Sequence, residues 1–306
     1  MSVAEQVTVM RAARRERRLD HFPYLALLPL TLLLAAFTFF PVGYAGWSSL
    51  HELLLSRPQS APFIGLGNYA EVVASSYFRS SLVTTLLFTV VTTAVTLVLG
   101  LAFALLLNAP LRSARVAQVL VLLPWAIPTV AAGIMWRWIF NGSYGPFNGL
   151  LYSAGLIREY VPWLGESLGA QLAVSVAHVW RSTPLPTLLF LASLQLIPRE
   201  LVEAVRIDGG GAFQALRNVA LPLLRPTIMI VAIYQTIVSL TTFDLVYVMT
   251  GGGPGDATSL LSYFTYVEIF KGLNVGTGSA LAFLLGLVSL IFIGAYLYLL
   301  KSESLE

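Results

Sequence analysis

The sequence predicts an all-α membrane protein with six transmembrane helices. Three observations point there. Of 306 residues, 57% are hydrophobic and only 11% charged, against the roughly 25% charge usual in soluble domains. Mean hydropathy is +0.79. Six apolar stretches, near 24–47, 82–107, 117–140, 170–196, 226–249 and 278–300, each supply the ~20 residues that a helix needs to cross ~30 Å of hydrocarbon. The alternating segments of about 10 residues that build a transmembrane barrel are absent.

The N-terminal segment RAARRERR (11–18) sets five arginines before the first stretch. A cleaved signal peptide has an apolar run of only about 7–15 residues. The run from Phe22 to Trp47 is far longer and reads as an uncleaved helix. Lys and Arg concentrate in cytoplasmic loops. With the N-terminus inside, the inner set is Arg11, Arg14, Arg15, Arg17, Arg18, Arg112, Arg115, Arg199, Arg206, Arg217, Arg225 and Lys301. The outer set is Arg57, Arg79, Arg158 and Lys271. That asymmetry puts both termini in the cytoplasm. It divides the chain into a basic cytoplasmic segment, 1–21, and a six-helix domain, 22–306, with a long cytoplasmic loop at about 197–225.

Between the first and second spans, Asn68 in FIGLGNYAEVVASSYF is placed to cap a short surface helix. NGSYGPFNGLL (141–151) has turn chemistry after the third span, and MTGGGPGDATS (249–259) after the fifth. The glycines of the second loop lack the Gly-Lys-Ser/Thr ending of a P-loop, so no ATP site is visible. Pro124 and Pro128 in the third span, and Pro184 and Pro186 in the fourth, predict kinks. Broken membrane helices border cavities or other protein, which favours a central path lined by spans three to five.

The cytoplasmic loop is the densest polar patch, EAVRIDGGGAFQALRNVALPLLRP (203–226). Pro198 is suited to open a helix. In RELVEAVRID, Leu201, Ala204, Val205 and Asp208 recur along one side. Gly209, Gly210 and Gly211 stop it. AFQALRNVA (212–220) predicts a second helix, with Pro222 and Pro226 breaking the chain before the fifth span. Two readings fit this elbow: an amphipathic connector, or a docking surface with Glu203 offering a carboxylate to another protein.

Glu203-Ala204-Val205, Gly209, Val219, Leu221 and Pro222 resemble the EAA loop of ABC-importer permeases. That pattern is Glu-Ala-Ala, three residues, Gly, nine residues, Ile, one residue, Leu-Pro. The spacing matches throughout, with Val205 and Val219 as mild departures. FIGLGNY (63–69), GPFNGLL (145–151), LQLIPRELVEAVRIDG (194–209) and FDLVYVMTGGGPG (243–255) look like the carbohydrate-uptake, MalF/UgpA-like branch. The resemblance implies a type I importer (MetI-like) fold in a prokaryotic plasma membrane. It also implies as partners a second EAA-type permease subunit, two cytoplasmic ABC ATPase subunits and an external solute-binding protein. ATP and Mg would be used by the ATPase, and this chain would bind no cofactor. Glu203, Ala204, Val205, Asp208, Gly209, Leu221 and Pro222 would couple the ATPase to the membrane helices. The implied cargo is a sugar, with maltose- or trehalose-like disaccharides ahead of glycerol-3-phosphate.

Arg181 and Asp244 are charges in or near spans, where function is the default expectation. Trp125, Trp180, Tyr234 and Tyr247 have rings suited to stacking on sugars, or to packing. Gln235 is a polar candidate for the same path or for linking helices. His178 lies within the fourth span and is assigned no role. Cysteine is absent, which excludes disulfides and thiol chemistry. The small net charge of +3 does not imply nucleic acid. An ion-coupled transporter fits less well, because the spans hold almost no carboxylate besides Asp244. No triad or paired-Asp constellation supports an intramembrane enzyme.

Overall fold

A computed structural model describes residues 22–57, 59–109 and 114–303. The basic segment 1–21 and Arg112 lie outside the described residues. Those described are helical, with two isolated bridges, His51–Phe63 and Leu54–Asn274, in place of a sheet. Among them, four helices are long and apolar enough to cross a membrane, and one bent pair makes a fifth.

α1 (Phe22–Leu34) passes through a π-helical turn, Ala35–Phe39, into α2 (Phe40–Ser49). α3 (Gly67–Ala74) is a short helix ahead of the second span, and α4 (Ser76–Asn108) is the longest span. Ser75 caps α4 by accepting the Phe78 amide at 3.4 Å. Thr85 and Thr92 return their hydroxyls to the carbonyls four residues back, each at 2.7 Å, so α4 carries hydroxyls without exposing them to lipid. Gly100 lets α4 approach α9 (Pro184–Gln195), because a Cβ there would stand 2.8 Å from that of Pro186.

Three expected spans depart from simple rods. α5 (Ala114–Ala126) and α6 (Thr129–Ile139) meet at 99°. The break falls at Ile127, which precedes Pro128 and is thereby steered out of the helical region. Pro124 is carried inside α5. After α7 (Pro146–Ser153), the fourth span comes as α8 (Ser167–Ser182) and then α9, joined through Thr183. Pro184 and Pro186 have no N–H for the carbonyls of Trp180 and Ser182, which marks the join.

The fifth span corrects the sequence expectation. Beyond α10 (Arg199–Ile207) and the single turn α11 (Ala212–Ala215), a π turn at Leu216–Ala220 leads directly into α12 (Leu221–Leu240). Pro222 and Pro226 do not break it. Leu221 N–H bonds Leu216 O, five residues back. The wider π turn eases the clash between the Pro222 ring and the carbonyl four residues before it. After a non-helical step at Thr241–Phe243 come α13 (Asp244–Met249), α14 (Leu261–Tyr266) and the last span α15 (Val275–Glu303).

Asn68 is a second correction. It does not cap α3, whose N-cap is Leu66 without a side-chain bond. Instead its buried amide donates to Ser49 O at 2.8 Å and His51 O at 2.9 Å, and its Oδ1 accepts from Thr277 at 3.3 Å. It ties the C-terminal end of α2, α3 and the N-terminal end of α15 together. α4 packs on α8, α9 and α12, and α12 also on α15. Ala104, Phe190, Leu191, Leu224 and Val231 form one buried cluster where α4, α9 and α12 meet.

Candidate functional site

Two places concentrate the chemistry: the elbow between α10 and α11, and a polar knot inside the helical bundle.

α10 buries none of its residues. It ends in a Schellman arrangement, with Gly209 N–H on Arg206 O at 3.1 Å and Gly210 N–H on Val205 O at 2.7 Å. Gly209 has φ +83°, the left-handed conformation expected of it. A Cβ on Gly210 would meet Val205 Cγ1 at 2.5 Å and its carbonyl oxygen at 2.7 Å. Gly211 is extended and opens α11, its N–H held by Gln214 Oε1 at 2.9 Å. Glu203, Ala204, Asp208 and Gly209 are exposed, and Val205 half-buried. Ile207 is 85% and Phe213 72% exposed. At the far limb Leu221 is half-buried and Pro222 exposed, while Ala220 and Leu224 are buried in the α4–α9–α12 cluster. The elbow therefore projects from the bundle on an anchored base.

The knot centres on His178 of α8, which is 3% exposed. Its Nδ1 lies 3.1 Å from Thr242 Oγ1, and its Nε2 lies 3.1 Å from Ser239 Oγ and 3.2 Å from Gln235 Nε2. Thr242 donates to Val238 O at 2.9 Å, leaving its oxygen to accept from His178 Nδ1–H. The single lone pair of Nε2 is then shared between the Gln235 amide and the Ser239 hydroxyl. Thr92 Oγ1, 3.0 Å from Ser239 Oγ, brings in α4. Gln235 Oε1 and Arg181 Nε are buried without a hydrogen-bond partner in the chain.

The path candidates divide among four surroundings. Trp180 lines a cavity of about 590 Å³ between α4, α5 and α8, beside Thr92, Thr183 and Trp136. The two tryptophan rings meet edge to face at 5.6 Å, and Trp136 Nε1 is buried without a partner. Gln235 belongs to the knot, and Arg181 is half-buried one turn beyond His178. Asp244 sits in the first turn of α13, where a carboxylate suits the helix dipole. Tyr247 stacks on Phe243 at 5.4 Å and meets the Tyr266 ring at 5.3 Å. Trp125 and Tyr234, 50% and 40% exposed, face outward from α5 and α12.

Sequence reasoning missed Thr92, Ser239 and Thr242, and left His178 without a role. Thr92 and Thr242 also bond carbonyls four residues back, and scattered hydroxyls give no pattern in an apolar span. The signal within reach was one histidine in the fourth span facing Gln, Ser and Thr at helical spacing in the fifth.

Membrane-crossing helices broken at prolines, with a capped elbow projecting from them, define a polytopic helical membrane protein. Residues 96–302 match the family model described as the binding-protein-dependent transport system inner membrane component. The chain belongs to that family. It is thus a multi-pass membrane permease subunit of an ABC transporter and not an enzyme. It is 40% identical over 274 residues to the trehalose/maltose transport system permease protein MalF of Thermococcus litoralis, covering 90% of this chain and 92% of that one. It is 36% identical to the trehalose transport system permease protein SugA of Mycobacterium tuberculosis, over 90% and 87%. It is 34% identical to the sn-glycerol-3-phosphate transport system permease protein UgpA of Yersinia enterocolitica, over 84% and 86%. A chain of a bacterial ABC transporter involved in import of the acidic polysaccharide alginate shares the fold. Its TM-score is 0.81 at 20% identity, covering 95% of this chain and 99% of that one.

Proposed function

We propose that this chain carries a sugar, a disaccharide of the maltose or trehalose kind, inward from a solute-binding protein across a prokaryotic plasma membrane. Two ABC ATPase subunits and a second permease subunit complete the importer, and ATP with Mg is used by the ATPase. The observation that carries this reading is the elbow. A capped helix with no buried residues, presenting Glu203 and Ile207 beyond the bundle, with Phe213 exposed on the turn that follows, is suited to seat in a cytoplasmic partner. The Lys/Arg asymmetry puts that elbow and both termini inside.

The relatives named for trehalose and maltose support a disaccharide over glycerol-3-phosphate, since the UgpA relative is the less similar. Two of the outer basic residues, Arg79 and Lys271, and Arg137 in the last turn of α6 give the same preference. Arg79 donates to Ala74 O, Arg137 to Val248 O, and Lys271 to Tyr263 Oη. Those three are engaged locally instead of converging on a phosphate.

The test is competition for uptake by vesicles holding the complete complex and its binding protein. Unlabelled trehalose or maltose should suppress uptake of the labelled disaccharide, and sn-glycerol-3-phosphate should not. ATP-driven uptake of glycerol-3-phosphate with none of either disaccharide would overturn the cargo assignment.

A further inference from the structure

The two limbs of the elbow re-enter the bundle as different helices. One limb is α10, continuous in sequence with α9 and α8. The other is α11, leading into α12. Near the elbow they are tied by Ser193 of α9 and Thr227 of α12, whose hydroxyls stand 2.8 Å apart. Deeper in the bundle, His178 of α8 meets Gln235 and Ser239 of α12 and Thr242, two residues past its end. Between helices packed only by apolar side chains, sliding and rotation exchange one set of weak contacts for another. A buried, directional knot fixes both register and rotation.

The knot also reaches further. Ser239 joins Thr92 of α4, and α8 carries Trp180, two residues from His178, into the wall of the 590 Å³ cavity. The arrangement is not saturated, since Gln235 Oε1 and Arg181 Nε are buried with no partner in the chain.

We infer that His178 is a positioning residue for transport: it fastens α8 to α12 so that displacement of the elbow moves both limbs, and the Trp180 wall of the cavity, as one body. This rests on the elbow being the point at which the ATPase acts. His178 touches neither the ATPase nor the cavity, and acts through the helices it joins.

The test compares His178→Phe and His178→Gln in the complete complex, reading assembled complex, sugar moved and ATP hydrolysed. Phenylalanine keeps an aromatic ring against Phe88, whose ring centroid lies 5.1 Å from that of His178, and removes every polar contact. Glutamine keeps a donor and an acceptor. His178→Phe should assemble and hydrolyse ATP, with sugar moved per ATP down about tenfold, while His178→Gln keeps at least half the parental ratio. Parental ratios in both variants, or losses that only follow the amount of assembled complex, would overturn the inference. If His178→Phe does not assemble, Ser239→Ala decides, being a smaller change to the same knot. A lowered ratio supports the inference and a parental ratio overturns it. Gly209→Val serves as the control. If it transports normally, the elbow reading itself fails. If it is uncoupled while the knot variants are not, only the role of His178 fails.

Discussion

Gly210 donates its amide hydrogen to the carbonyl of Val205 at 2.7 Å, closing α10 where Gly209 turns left-handed at φ +83°. The elbow's shape thus depends on two glycines for two reasons. Gly209 supplies a backbone conformation, and Gly210 supplies the room for Val205 that a Cβ would fill. Gly211 does neither, having open space around it and an extended backbone.

The three glycines should therefore respond differently. Gly209→Val puts a β-branched residue at positive φ, at a cost of about 1–3 kcal/mol, and should lower uptake at least tenfold with insertion intact. Gly210→Ala should also impair uptake. Gly211→Ala should transport like the parent. Uptake assays normalised to membrane-inserted protein separate the three, and equal effects at all positions would contradict the elbow geometry.

Asn68 yields a prediction about stability. Asn68→Ala strips the Ser49 and His51 carbonyls of their donor and Thr277 of its acceptor. Loss of this knot should cost about 2–3 kcal/mol and lower the thermal midpoint of the purified protein in detergent. An unchanged midpoint would show that the C-terminal end of α2, α3 and the N-terminal end of α15 are held by packing alone.

Glu268, in the outer segment after α14, gives a pH dependence. Burial, and then the nearby Glu71 carboxylate, raise its pKa above the usual glutamate value. The folded state therefore holds this proton to higher pH than the unfolded chain does. Stability should decline as pH rises from the ordinary glutamate value through the raised one, then level off. Glu268→Gln should raise the melting midpoint at neutral pH, and the gain should vanish in acid below the ordinary value. Melting curves across pH test this, and a gain that persists in acid would rule out the titration.

Orientation can be read chemically, because the chain has no cysteine of its own. Asp256→Cys lies in an exposed turn proposed to be outside and Gln214→Cys on the exposed face of the elbow. A membrane-impermeant thiol reagent should label the first in intact cells, and the second only after the membrane is opened. The reverse pattern would invert the topology and remove the elbow from the cytoplasm.

The helical class and the elbow were legible in the sequence because each rests on local chemistry. Apolar length marks a span, and the glycine run after RELVEAVRID marks a C-cap. The family's spacing from Glu203 to Pro222 survives intact. The path of the backbone around the prolines was less legible. Pro128 ends a helix, whereas Pro222 is absorbed by a π turn, and that difference depends on hydrogen bonding that residue types do not specify. Asn68 read as a cap because a local bond is the simplest use of asparagine. Its partners proved to be up to 209 residues away. The knot around His178 is invisible for the same reason. Its members come from α4, α8, α12 and the step after α12, and only packing brings them together.

The most direct measurement is ATP-driven sugar accumulation in vesicles containing this chain, its permease partner, the ATPase pair and sugar-loaded binding protein, with Glu203→Lys beside the parent. The parent should accumulate sugar, and binding protein should stimulate its ATP turnover. Glu203→Lys, inserted to the same level, should lose at least nine-tenths of accumulation, because a cation then meets the surface proposed to receive a carboxylate. Parental accumulation and stimulation in Glu203→Lys would contradict the elbow as the ATPase contact and reduce it to a connector.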